Sequence, residues 1–137
     1  MSWLVDTCVL LDILDADPAF GEASARTLDA LSPDGLDISP VTWVELAPAF
    51  WGDAAREEIF LREVGVGVSP LWDATAMRAA GTAWSAHVAA KRKGTVAKRP
   101  IADILIGALA LRHEGLVTRN AADFSRHFPG LRIMVPK

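Results

Sequence analysis

The chain has 137 residues, 51% of them hydrophobic, and a net charge of −3, which suits one compact domain over residues 1–137 with a buried core. Its apolar runs are broken by charge, Pro or Gly before the roughly 20 residues that a membrane helix needs. The Met1 segment lacks the basic start of a secretion signal and is interrupted by Asp6, so the expectation is a cytoplasmic protein with no membrane partner. A single cysteine, Cys8, excludes an internal disulfide and reads as a small buried hydrophobe.

Charge is unevenly divided. Residues 1–77 hold three Arg against fourteen acids, a net of −11, and residues 78–137 hold eleven cations against three acids, a net of +8. That polarity allows one region to meet phosphates while another carries acids.

In chain order, the apolar run Ser2-Trp3-Leu4-Val5 reads as a strand ending at Asp6, and Val9 to Leu14 follows at helical spacing. Phe20 to Leu31 is a second helix, closed by the turn residues Ser32-Pro33-Asp34-Gly35. Leu36-Asp37-Ile38 is a brief strand. Ser39 then supplies an N-cap and Pro40 a first helical residue for a helix that carries Glu45 to about Trp51. A helix over Asp53 to Glu63 precedes a strand at Val64 to Val68. A long Ala-rich helix from Trp72-Asp73 reaches Lys91-Arg92-Lys93, cations that suit a helix C-terminus, and stops at Gly94. Pro100 opens a helix over Ile101 to Glu114 that Gly115 ends. Leu116 to Thr118 is a strand, Ala121 to Arg126 a helical turn, and Leu131 to Ile133 a last strand. Strands alternating with helices predict an α/β fold, its parallel sheet covered on both faces.

In such a sheet, ligands bind beyond the carboxyl ends of the strands. Asp6 follows the first strand, Asn120 and Asp123 follow the strand at Thr118, and Glu45 and Asp103 lie in early helical turns near the same edge. Glu45 and Asp103 are also embedded in apolar sequence, Val41-Thr42-Trp43-Val44-Glu45-Leu46 and Ile101-Ala102-Asp103-Ile104-Leu105, where an uncompensated charge is costly. Taken singly, Asp6 is a helix cap, Glu45 a solvated helix residue and Asp103 a partner for Arg99 one turn earlier. Taken together, carboxylates without a Cys/His set point to a hard cation, magnesium or manganese, rather than zinc.

Four segments carry a resemblance: Leu4-Val5-Asp6-Thr7, Val41 to Leu46, Arg99 to Ala108, and Leu116-Val117-Thr118-Arg119-Asn120-Ala121-Ala122-Asp123-Phe124. In this order the chain resembles a PIN domain over nearly its whole length, and among PIN domains it is most similar to the VapC toxins of bacterial toxin-antitoxin pairs. The resemblance implies a PIN-like three-layer α/β/α fold with a central parallel sheet of four to five strands. It implies a magnesium-binding cluster of Asp6, Glu45, Asp103 and Asp123, with Thr7 and Asn120 as polar helpers, and it implies homodimerisation and a cognate antitoxin protein. Position 120, an acid in many relatives, is Asn here, which leaves Asp123 or a water-mediated contact as the fourth ligand.

The expected activity is endoribonuclease hydrolysis of RNA by a metal-activated water. Asp6 and Asp103 are the expected direct ligands, with Glu45 and Asp123 as further ligands or water-orienting groups. Arg99 and the run Lys91, Arg92 and Lys93 are the expected phosphate contacts, with Arg112, Arg119 and Arg126 as the alternative surface. Trp51 and Trp72 are the exposed candidates for stacking on RNA bases, whereas Trp3, Trp43 and Trp84 belong to the core. His87, His113 and His127 lack metal spacing and read as surface or capping residues. The helices at 20–31 and 53–63 are the expected antitoxin groove. Cys8, two residues after Asp6, removes the second acid of an Asp-x-Asp phosphatase, and the turn after the first strand has none of the glycines of a dinucleotide site. The alternative reading is a non-catalytic RNA- or protein-binding domain of the same fold.

Overall fold

The structure, a computed structural model, describes residues 1–92 and 100–137. Five short strands, β1 (Trp3–Val5), β2 (Leu36–Ile38), β3 (Val66–Val68), β4 (Leu116–Val117) and β5 (Ile133–Met134), form one sheet in the order β3-β2-β1-β4-β5. All four pairings are parallel. The α-helices are α1 (Thr7–Leu14), α2 (Gly21–Leu31), α3 (Pro40–Leu46), α4 (Ala54–Glu63), α5 (Ala74–Arg92), α6 (Ile101–Ala110) and α7 (Ala121–His127). Among the described residues no helix is long and apolar enough to cross a membrane.

Alternation along β1 separates the two faces of the sheet, because successive side chains of a strand point to opposite sides. Trp3 and Val5 join Val9, Leu10, Leu28, Leu46 and Leu61 in the core under α1, α2 and α4. Leu4 joins Ala80, Ile104, Leu109 and Phe124 in the core under α5, α6 and α7. The result is a three-layer α/β/α sandwich. Consecutive connections run from β1 outward to β2 and β3, and the chain then returns to β4 on the other side of β1. The reversal point therefore lies between β1 and β4, where such sheets open a crevice.

Several boundaries differ from expectation for identifiable reasons. The helix carrying Glu45 ends at Leu46 and continues as a 3-10 turn over Ala47–Phe50, because Pro48 cannot donate to a helical ladder, and Trp51 closes it in the left-handed region at φ 56°. The helix α6 starts at Ile101 as expected, with Pro100 in its cap position. That helix stops at Ala110, four residues before the expected Glu114, because the next segment is claimed by distant partners: Arg112 pairs with Asp73, and the Glu114 N–H donates to the Ser2 carbonyl. Gly115 then passes so close to the Arg132 carbonyl and the Trp3 ring that any Cβ would collide. The last strand sits at Ile133–Met134 instead of 131–133.

Two of the histidines expected as surface or capping residues, His87 and His113, are buried. His113 lies between Ser2 and Ser69, its Nδ1 2.8 Å from one hydroxyl and its Nε2 2.7 Å from the other. Ser2 gives its own proton to Asp37 at 2.8 Å, which leaves Nδ1 of His113 as the donor to Ser2. His87 is stacked on Trp84 at 5.7 Å and meets the edge of His127 at 5.6 Å. The tryptophans follow expectation: Trp3 is buried, Trp43 and Trp84 are half-buried, and Trp51 and Trp72 are exposed.

Candidate active site

Asp6 is the first residue beyond β1, tied to β4 by its N–H donating to the Val117 carbonyl at 2.9 Å. It is also the N-cap of α1, so the cap and the ligand readings fall on one side chain. Its Oδ1 accepts from the Thr7 N–H at 2.8 Å, and its Oδ2 accepts from the Thr118 hydroxyl at 2.7 Å and from Cys8 Sγ at 3.4 Å. Burial pushes the Asp6 carboxyl above its usual range, the three hydrogen bonds pull it down, and the Glu45 charge raises it again. Cys8 is half-buried rather than fully buried, and burial followed by the Asp6 charge pushes its thiol up to about 11. Thr118, fully buried, also accepts from the Asn120 N–H at 3.0 Å. Sequence reasoning took Thr118 only for a strand residue. The one signal available was a hydroxyl immediately after a strand at the reversal point.

Glu45 reaches the site on the second turn of α3, whose first turn is fixed by the Ser39 hydroxyl accepting from the Val41 N–H at 2.9 Å. The Glu45 side chain is exposed, since its helix turns Thr42 and Leu46 inward. Thr7 donates to Glu45 Oε1 at 2.6 Å, and Thr42 Oγ1 lies 2.9 Å from the same Thr7 hydroxyl. A carboxylate only accepts, so the single Thr7 proton goes to Glu45 and the Thr7–Thr42 contact uses the Thr42 proton. Thr42, like Thr118, is a supporting hydroxyl that the sequence did not single out.

Asp103 stands half-buried in the first turn of α6. Its carboxyl is pushed up to about 6, first by burial and then by the charges of Asp6, Asp123 and Glu45. Asp6, Asp123 and Glu45 therefore lie near enough to Asp103 for their charges to be felt there. Asp123 is exposed in the first turn of α7 and pairs with Arg126 at 3.2 Å. Asn120 occupies the cap position of α7, with an exposed side chain that makes no cap hydrogen bond.

Among the described residues, no three of these acids close into a ready-made metal cage. The donor chemistry nonetheless fits a hard divalent cation: carboxylate and hydroxyl oxygens, and an Asp103 carboxyl raised by burial and then by three neighbouring negative charges that a cation would offset. Magnesium keeps several waters and is commonly held by one or two carboxylates, so it does not need a closed cage.

Of the expected phosphate contacts, Lys91 is exposed in the last turn of α5, while Lys93, Arg99 and the side chain of Arg92 lie outside the described residues. The alternative trio is engaged with acids. Arg112 pairs with Asp73 at 2.8 Å and Arg126 with Asp123. Arg119 grips the buried Asp12 with two hydrogen bonds of 2.7 and 3.0 Å and covers the Phe20 ring at 4.1 Å. Burial of Asp12 makes Arg119 a structural cation.

The chain is similar to VapBC2 from Rickettsia felis bound to a DNA fragment from their promoter, with 18% identity, a TM-score of 0.72 and full coverage of both chains. VapBC-1 from nontypeable Haemophilus influenzae is similar at 20% identity and a TM-score of 0.66, covering 98% of each chain. FitAcB from Neisseria gonorrhoeae follows at 19% identity and a TM-score of 0.61, covering 100% of this chain and 97% of that one. These identities speak for the fold alone. No curated protein matches the chain. The family described as PIN domain matches residues 3–127, a span that includes Asp6, Glu45, Asp103 and Asp123 together, and the chain belongs to the PIN domain family.

Proposed function

We propose that this chain is a magnesium-dependent endoribonuclease and the toxin of a toxin-antitoxin pair, acting in the cytoplasm as a homodimer. The observation that carries the reading is that three carboxylates, Asp6, Asp123 and Glu45, act on a fourth, Asp103, at the reversal point of the sheet. Stable folding gains nothing from such repulsion, whereas a site for a divalent cation requires it.

Asp6 and Asp103 would hold the cation, with Asp123 and Glu45 beside them. When bound, the cation supplies charge neutralisation on the phosphate oxygens and a more acidic water. The chain supplies position. Thr118 and the Thr7 N–H fix both oxygens of Asp6, and the Thr7 hydroxyl turns Glu45 toward the same edge, where its free oxygen can accept a proton from the attacking water. Water rather than the RNA 2′-hydroxyl is the nucleophile, so the products carry a 5′-phosphate and a 3′-hydroxyl.

The VapBC and FitAcB complexes support an antitoxin partner for this chain. On the proposed docking helices, α2 borders a hollow of about 360 Å³ that includes Ile13, Pro18 and Ala25, and α4 borders another of about 320 Å³ with Trp43, Leu61 and Val68. Incubating total RNA with the protein and magnesium, then mapping the chemistry of the new ends, tests the activity. Ends bearing 2′,3′-cyclic phosphate would refute a water nucleophile.

A further inference from the structure

One strand along the same sheet edge from Asp6, beyond the carboxyl end of β2, a cavity of about 160 Å³ is lined by Ser39, Pro40, Val41, Leu105 and Trp72. Two of its walls belong to the helices that carry the acids. Val41 lies four residues before Glu45 on α3, hence one turn away on the same helix face, and Leu105 lies two residues after Asp103 on α6. The third wall is Trp72, 41% exposed. An indole left partly in water beside an apolar hollow forgoes the burial that normally fixes a tryptophan.

The segment that presents Trp72 is fastened on both sides. Before it, Ser69 is held by His113 at 2.7 Å and accepts from the Leu71 N–H at 3.2 Å. After it, Asp73 pairs with Arg112 at 2.8 Å and caps α5 through the Ala76 N–H at 3.0 Å. Trp72 is thus a pre-positioned aromatic surface, and little ordering would be needed for a flat ligand to stack on it.

We propose that Trp72, with Val41 and Leu105 at the base of the cavity, binds one base of a single-stranded RNA next to the phosphate at the acid cluster and so sets base preference there. The inference rests on the nuclease reading for its ligand. Single-stranded RNA is recognised by stacking unpaired bases on aromatic side chains. A strand whose phosphate lies at Asp103 has its neighbouring nucleotides along the edge that α3 and α6 line. The cavity offers no charged side chain for a phosphate, which suits an apolar ring face.

The test uses the full-length protein in the Asp103→Asn background, with fluorescently labelled single-stranded oligoribonucleotides of each base, comparing Trp72, Trp72→Phe and Trp72→Ala. Trp72→Ala should weaken binding about tenfold and Trp72→Phe much less, with all three folded by circular dichroism. In otherwise wild-type protein, Trp72→Ala should also flatten the base preference at one position beside the cleaved bond. Equal affinity and an unchanged cleavage pattern for Trp72→Ala would overturn the proposal while leaving the nuclease intact. Trp72-dependent binding by a protein that cuts no RNA would uphold the base site and overturn the nuclease. Failure of both Trp72 and Trp72→Ala proteins to bind any oligomer would overturn the base site as well.

Discussion

The hydroxyl of Thr118 donates to Oδ2 of Asp6 at 2.7 Å, joining the carboxyl ends of two neighbouring parallel strands whose residues are 112 positions apart in the chain. The bond is made at the reversal point of the sheet. It orients one acid of the cluster, and through the Asn120 N–H it also anchors the segment leading to Asp123.

Thr118→Val keeps the shape and removes the donor. Asp6 would lose a hydrogen bond that holds its carboxyl down, so its pKa rises further and the pH profile of RNA cleavage moves to higher pH. Loss of a partner that orients a metal ligand typically costs about 10–100-fold in activity. The buried bond to a charged group is worth roughly 1.5–3 kcal/mol in stability. A pH series of cleavage rates for both proteins, with urea unfolding, reads both effects; an unmoved profile would show that Thr118 does not tune Asp6.

Asp103 is expected to make the metal-free protein less stable at neutral pH. Its folded pKa of about 6 lies above the 3.8 ordinary for an exposed Asp, so between these pH values the folded state holds a proton that the unfolded state has released. Stability from this group is therefore full below pH ~4 and lost as pH rises through ~6. The full displacement corresponds to ~3 kcal/mol, and solvent reaching a half-buried carboxyl reduces it to about 1–2 kcal/mol. Urea unfolding of metal-free protein should show this fall, and Asp103→Asn should abolish it and be the more stable protein at pH 7. A wild type that gains stability from pH 4 to 6 by this group would contradict the site's electrostatics.

Much of this arrangement was legible in the sequence because it depends on local signals. Asp6 stands where an apolar strand gives way to a helix, Ser39-Pro40 announces α3, and each acid falls in a segment of the family pattern. What was hidden depends on residues far apart in the chain. His113 is drawn inward by Ser2 and Ser69, 111 and 44 positions away, and helical propensity through Leu111 to Glu114 gave no sign of the tertiary contacts that end α6. Glu45 is exposed despite its apolar neighbours because helical rotation, not sequence adjacency, decides which side faces the core. The pairing of Arg119 with Asp12 spans 107 positions and leaves no local trace.

That pairing makes its own prediction. Asp12 is 5% exposed, so removing Arg119 strands a buried charge. Arg119→Ala should destabilise the fold by about 3–5 kcal/mol, whereas the double replacement Asp12→Leu with Arg119→Met should recover most of the loss. A double-mutant cycle by chemical denaturation measures it. A single Arg119→Ala that folds normally but loses RNA affinity would assign Arg119 to the substrate instead.

Expression of the protein alone should slow bacterial growth, and co-expression of its cognate antitoxin should restore it. Asp103→Asn, produced at the same soluble level, should leave growth unaffected. Equal growth with wild-type protein and with the variant would argue against a toxin.

The most direct test of the central claim is RNA cleavage by purified wild-type protein and by Asp103→Asn, each with magnesium and with excess chelator. The proposed four-carboxylate metal site predicts cleavage only by the wild type and only with magnesium. Cleavage that survives the chelator, or that Asp103→Asn performs at the wild-type rate, would contradict it.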